Sequence, residues 1–172
     1  MDMKKGCAVN RKMCLILLIA IILTLAFIFG NSIVSKKESE QISNHFNESI
    51  SNVITALTGK EETAFGSFLM HYSRKIAHFV EFACLGTEVV LLLHFASRRN
   101  LPYLLLGATL SFTVASFDEG IQVLTGRGDQ VSDIFIDVSG YMSAYLFGMT
   151  ILYLCAWRHT RKTLSAIPAP KK

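Results

Sequence analysis

The stretch "SFDEGIQVLTGRGDQVSDIFIDVSGY", residues 116–141, carries five carboxylates and one arginine between two strongly apolar runs. The run before it, Leu101 to Phe117, and the run after it, Val138 to Trp157, are each about 17 to 20 residues long. That length crosses a hydrocarbon core of about 30 Å at about 1.5 Å per helical residue. The acidic stretch is therefore read as the turn of a hairpin between two membrane helices. Two further runs of the same kind, Met13 to Phe29 and Ile76 to Leu93, lie upstream. With 51% apolar residues in 172, the chain is too hydrophobic for an ordinary soluble domain of its size. The expected fold is all-α, a polytopic membrane protein with four transmembrane helices.

Charge sets the expected orientation. The N-terminal tail, the "SRRN" turn and the C-terminal tail together hold 11 Lys/Arg and a single acid, Asp2, whereas the two remaining loops hold six Lys/Arg and ten acids. By the positive-inside rule, both termini are cytoplasmic and both acidic loops face outward. Residues 1–12 and 158–172 are then basic cytoplasmic tails flanking a membrane domain at 13–157. Lys4, Lys5, Arg11 and Lys12 ahead of an apolar run also resemble a secretory signal. No small-x-small cleavage pattern follows, so the first helix is read as retained. The net charge of +4 reflects these anchors, and no basic stripe interleaved with aromatics suggests nucleic acid. The four cysteines make no metal-type spacing; Cys84 and Cys155 are expected as buried, apolar-like residues inside helices.

The outer loop, residues 31–73, contains Ile42, Phe46, Ile50, Val53, Ile54 and Leu57 at spacings of three and four. Such spacing makes one apolar helical face, expected along the interface or over the bundle.

Within the membrane segments the polar residues are few and ordered. In "SRKIAHFVEFACLGTEVVLLL", Arg74, His78, Glu81 and Glu88 fall within about 80° of one another at 100° per residue, so they form one stripe. Ionisable groups at that depth are costly in lipid, and the stripe is expected to face the bundle interior. Asp118 and Gln122 are four apart and Glu119 and Gln122 three apart, sharing the last turns before Gly126, a natural C-terminal cap. Ser132 is expected as the N-cap of the last helix, with Asp133 and Asp137 on one face. Small residues recur at Gly140, Ala144 and Gly148, a pattern that permits close helix contact. Counted inward from the outer helix ends, Glu81 lies at about 10 Å, Asp118 at about 9 Å and Asp137 at about 6 Å. Three helices thus place acids in one layer, with Arg127 as the hairpin's one basic partner.

These residues carry a resemblance. "RKIAHFVEF" followed by "DEGIQVLTGRGDQVSDIFIDVSG" is similar to the VanZ-like family of small bacterial membrane proteins. Its pattern runs K-x-x-H-x-x-E-(Y/F), then D-E-x-x-Q, G-R, and D-x-x-x-D-x-x-G. The matching positions are Lys75, His78, Glu81, Asp118, Glu119, Gln122, Gly126, Arg127, Asp133, Asp137 and Gly140. Thr125 stands where a proline is common, and Phe82 where a tyrosine is frequent. The resemblance implies a bacterial cell-membrane protein linked to glycopeptide resistance of the teicoplanin type; it supplies no mechanism.

The residues themselves frame that mechanism. Close carboxylates in a low-dielectric site cannot all be ionised cheaply, so Glu81, Asp118, Glu119, Asp133 and Asp137 are candidate acid/base groups. Lys75, His78, Gln122 and Arg127 are candidate ligand-binding groups for the phosphate or carboxylate of an anionic envelope lipid or lipid-linked wall precursor. Asp118, Glu119 and Asp137 offer oxygen donors for a divalent cation, without a dedicated metal motif. No nucleophilic triad is visible, so the residues do not choose between an enzyme acting on such a lipid or precursor and a non-catalytic protein that binds lipid, precursor or a lipid-tailed glycopeptide or supports a partner in wall synthesis. A proton relay through His78, Glu81 and Glu88 is the third reading. Against it, acids thin out toward the other half of helices three and four and no inverted repeat is apparent. A buried ionic network that merely fixes helix register is the structural alternative. Oligomeric state is not encoded in any of these patterns.

Overall fold

A computed structural model describes residues 3–34, 36–59, 64–98, 100–126 and 131–165. Among these residues there are five helices: α1 (Met3–Ile33), α2 (Lys36–Thr58), α3 (Ala64–Phe95), α4 (Leu101–Leu124) and α5 (Val131–Ser165). Four contain stretches long and apolar enough to cross a membrane: Asn10–Ile33, Tyr72–Phe95, Leu101–Leu124 and Ser132–Arg158. This is the expected all-α, multi-pass membrane architecture, with α2 as the additional helix.

Each helix extends beyond the apolar run that announces it, because polar residues at membrane surfaces continue a helix as readily as apolar ones. Ser132 consequently lies inside the first turn of α5 rather than capping it, and its hydroxyl lies 3.3 Å from Asp133 Oδ1. At the end of α4 the expectation holds: Gly126 takes φ +73° and its N–H donates to Val123 O at 3.1 Å, a left-handed stop that suits glycine.

Helix α3 is the hub, packing against α1, α2, α4 and α5, and its most extensive interface is with α5. The two run parallel with their backbones nearly touching. A Cβ placed on Gly86 would meet the carbonyl oxygen of Tyr141, and one on Gly140 would meet that of Phe79, with the Phe79 carbonyl carbon and Cα at 3.0 Å. Glycine at both points is what allows the approach. Phe82, Leu85, Val89 and Val90 of α3 and Tyr141 and Tyr145 of α5 form the buried centre with parts of α1 and α4. Outside it, residues such as Leu23, Phe27, Phe112, Phe117, Phe135 and Phe147 are exposed, an apolar belt suited to lipid tails.

Helix α4 is tied to α5 by two tyrosines. The Tyr141 hydroxyl donates to Gly107 O at 2.6 Å, and the Tyr145 hydroxyl donates to Leu104 O at 2.9 Å. Both carbonyls belong to α4, so the phenols supply polar glue where hydrophobic driving force between helices is absent. Tyr141→Phe is expected to lower stability by about 1 kcal/mol, read from the unfolding midpoint in mixed detergent micelles. An unchanged midpoint would mean that the bond contributes nothing net.

Some side chains sit elsewhere than expected. Cys84 and Cys155 are exposed on the outer faces of α3 and α5 instead of buried, where a thiol meets lipid and still behaves as a small apolar group. Arg74 is exposed, so the polar stripe of α3 turns inward only from His78. On α2, Ile50 and Ile54 are half-buried but Val53 is exposed; the face covered by α3 is narrower than the spacing implies. The side chains of Ile42, Phe46 and Leu57 lie outside the described set. Arg11, Lys12, Arg98, Arg158 and Arg161 are exposed at the opposite end of the bundle from Asp118 and Asp137, with Arg161 stacked 4.1 Å over Trp157 and Arg98 5.1 Å over Tyr103.

Candidate functional site

The site assembles where the C-terminal ends of α1 and α4 meet the N-terminal halves of α3 and α5. Each helix brings side chains at one-turn spacing: His78 and Glu81 from α3, Asp118 and Gln122 from α4, Asp133 and Asp137 from α5. The parallel packing of α3 with α5, and the opposite chain direction of α1 and α4 beside them, carry these turns to a common level.

Asp118 is the centre. It is fully buried and accepts hydrogen bonds from the Ser32 hydroxyl on Oδ1 and from Gln122 Nε2 on Oδ2, the latter at 2.7 Å. His78 Nδ1 stands 3.8 Å from Asp118 Oδ2 and 3.5 Å from Asp137 Oδ1. Asp137 is 1% exposed, and the His78 side chain 16%. One ligand atom from each of His78, Asp118 and Asp137 lies within 4.8 Å of the other two. Glu81 sits beside them and accepts from Asn31 Nδ2 at 3.1 Å.

At the rim, Lys75 Nζ pairs with Asp133 Oδ1 at 3.3 Å, both side chains partly exposed. An exposed pair of this kind contributes little to stability, but it sets one positive and one negative group at the mouth of the buried set. Glu119 is buried next to Asp118 on α4. Arg127 lies outside the described residues. Of the sequence candidates, His78, Glu81, Asp118, Gln122 and Asp137 thus come together, Lys75 and Asp133 flank them, and Glu119 adjoins them through the chain.

A family model described as VanZ/LLP1 matches residues 13–157. The chain belongs to the VanZ-like family. Comparison with curated proteins and with solved structures gives no match. The match spans all four membrane helices of this VanZ-like protein, so the polar constellation lies wholly inside the matched region.

Three partners in the VanZ-like core escape a reading of the sequence: Thr24, Asn31 and Ser32, all on α1. Thr24 Oγ1 donates to Glu88 Oε1 at 2.9 Å, one helix stretch below the Asn31–Glu81 contact. The signal was present. Thr24 and Asn31 are seven apart on α1, and Glu81 and Glu88 seven apart on antiparallel α3; seven residues are two turns, so each pair shares a face. Thr125, where the family pattern often has proline, also has a use: its hydroxyl lies 3.1 Å from Ser32 O and within reach of Ile121 O and Gln122 O of its own helix. One hydroxyl proton serves these acceptors in turn, joining the end of α4 to the end of α1.

Proposed function

We propose that this VanZ-like protein binds the headgroup of an anionic envelope lipid or lipid-linked wall precursor at the Asp118–Asp137–His78 group, on the outward side of a bacterial cell membrane. The observation that carries the reading is the convergence of buried Asp118 and Asp137 with half-buried His78, from three helices, at the end of the bundle opposite the exposed Arg11, Arg98, Arg158 and Arg161. A buried ionisable group in a membrane segment is costly and is a functional-site candidate by default. At headgroup depth in a helix bundle, the polar molecules that arrive laterally are lipids. Lys75, His78, Gln122 and Arg127 are the headgroup contacts in this reading, and Glu81, Asp118, Glu119, Asp133 and Asp137 the groups able to exchange protons. The basic ends at 1–12 and 158–172 are cytoplasmic, and residues 31–73 face outward with α2 against α3.

Binding such a lipid protects against teicoplanin-type glycopeptides by occupying or excluding what they engage at the membrane. The test is susceptibility of a sensitive Gram-positive host carrying the wild type or Asp137→Asn at equal membrane level. Wild type is expected to raise teicoplanin tolerance several-fold and the variant to behave like the empty host. Equal protection by both would remove the site from the explanation, and no protection by either would remove the resistance role. Lipid extracts from the protected host divide binding from turnover, since a binder leaves every lipid and precursor unchanged.

A further inference from the structure

An anionic headgroup alone leaves the buried group electrostatically incomplete. Asp137 is almost fully buried, and neither of its carboxylate oxygens has a hydrogen-bond partner. His78 Nδ1 is 3.5 Å away and likewise makes no hydrogen bond. A buried carboxylate without hydrogen bonds is costly, and one imidazole faces the carboxylates of both Asp118 and Asp137. An approaching phosphate would add to that negative charge.

We infer that His78, Asp118 and Asp137 together hold a divalent metal ion of the Zn2+ class. Ligand atoms at roughly 2.0–2.2 Å from a common ion stand about 3 to 4 Å apart, and the His78 contacts to Asp137 and Asp118 are 3.5 and 3.8 Å. One imidazole nitrogen with two carboxylate oxygens suits Zn2+ better than Mg2+ or Ca2+, which favour all-oxygen shells. The hydrogen bonds from Ser32 and Gln122 already orient Asp118, as the supports of a ligating carboxylate do. Asp137, with both oxygens free of hydrogen bonds, is the group the ion completes. Three protein donors leave a coordination position open. The ion then links the acidic group to an anionic headgroup, a step that rests on the lipid reading above; the ion itself does not.

The experiment uses the full chain purified in detergent, stripped with a chelator and titrated with Zn2+ against a competing chromophoric chelator. Wild type is expected to bind one Zn2+ per chain. Asp137→Asn and His78→Gln should each weaken it by at least about ten-fold, while Glu88→Gln, two turns further along α3 than Glu81, binds as wild type does. Added Zn2+ should also raise the unfolding midpoint of the wild type, a readout that survives if a variant fails to fold. Absence of stoichiometric Zn2+ binding, or equal binding by Asp137→Asn, overturns the inference and leaves an ion-pair network. Association of spin-labelled phosphatidylglycerol against phosphatidylcholine is measured in parallel. Zn2+ binding without lipid preference keeps the ion and removes the headgroup; a preference that survives chelation, with no Zn2+ bound, does the reverse.

Discussion

Asp118→Ala is expected to cost about 3 kcal/mol of stability and to abolish binding at the site. Asp118 is fully buried and is the acceptor for Ser32 and Gln122, with His78 Nδ1 3.8 Å away. Alanine leaves these donors facing a void. A donor orphaned in a protein interior costs about 1–3 kcal/mol, while interhelical hydrogen bonds in membranes average about 0.6 kcal/mol because the unfolded helices also find partners. Intermediate weights on two hydrogen bonds and one neighbouring imidazole give that magnitude. Asp118→Asn separates folding from function. The amide keeps the shape and one acceptor, and Gln122 can present its carbonyl to the new NH2, so most of the stability should remain while the negative charge is gone. Unfolding in mixed micelles reads stability, and Zn2+ titration with lipid association reads the site. If the alanine variant unfolded with the wild type, Asp118 would not be the organising residue described here.

The second large effect is expected from Gly140→Ala. The new methyl group would run into the carbonyl oxygen of Phe79, with two further Phe79 backbone atoms at 3.0 Å. Backbone on a packed helix cannot rotate away as a side chain can, so α3 and α5 must separate. Overpacking of this sort costs about 1–3 kcal/mol, occasionally more, and a backbone obstacle belongs at the upper end. Phe79 adjoins His78, and Gly140 follows Asp137 by three residues, so the same separation widens the 3.5 Å approach of His78 to Asp137. Loss of stability and of site function are therefore expected together. Gly148→Ala should be milder, since its nearest obstacle is a Val90 methyl at 3.0 Å, and Gly30→Ala meets nothing within 4 Å. Unfolding midpoints should fall in the order Gly30→Ala, Gly148→Ala, Gly140→Ala. A Gly140→Ala protein as stable as Gly30→Ala would show that the helices do not cross as closely as described.

The membrane helices were legible because hydrocarbon thickness fixes a run length that composition alone reveals. The level of Glu81, Asp118 and Asp137 was legible for a related reason: helical rise converts residue number into depth. What sequence reading missed are interactions that depend on rotation about a helix axis. Thr24, Asn31 and Ser32 barely lower the hydropathy of α1, and only their alignment with Glu88, Glu81 and Asp118 reveals their use. Tyr141 and Tyr145 read as part of an apolar run, although their hydroxyls fasten α4. Gly86 has no small neighbour at four-residue spacing on its own helix to announce it, since its complement is the backbone of α5. Arg74 shows the converse: an angular stripe says which residues share a side, not where along the helix the neighbours begin.

The parallel pairing of α3 with α5 also sets when the site can exist. Chains are made from the N-terminus, and α3 enters the membrane well before α5 is synthesised. Until then Gly86 has no Tyr141 carbonyl against it, and His78 has no Asp137. Glu81 can already be met by Asn31, and Asp118 by Ser32 and Gln122, from segments made earlier or alongside. The last helix to arrive is thus the one that brings the second carboxylate, and the buried charge accumulates only as the bundle closes around it.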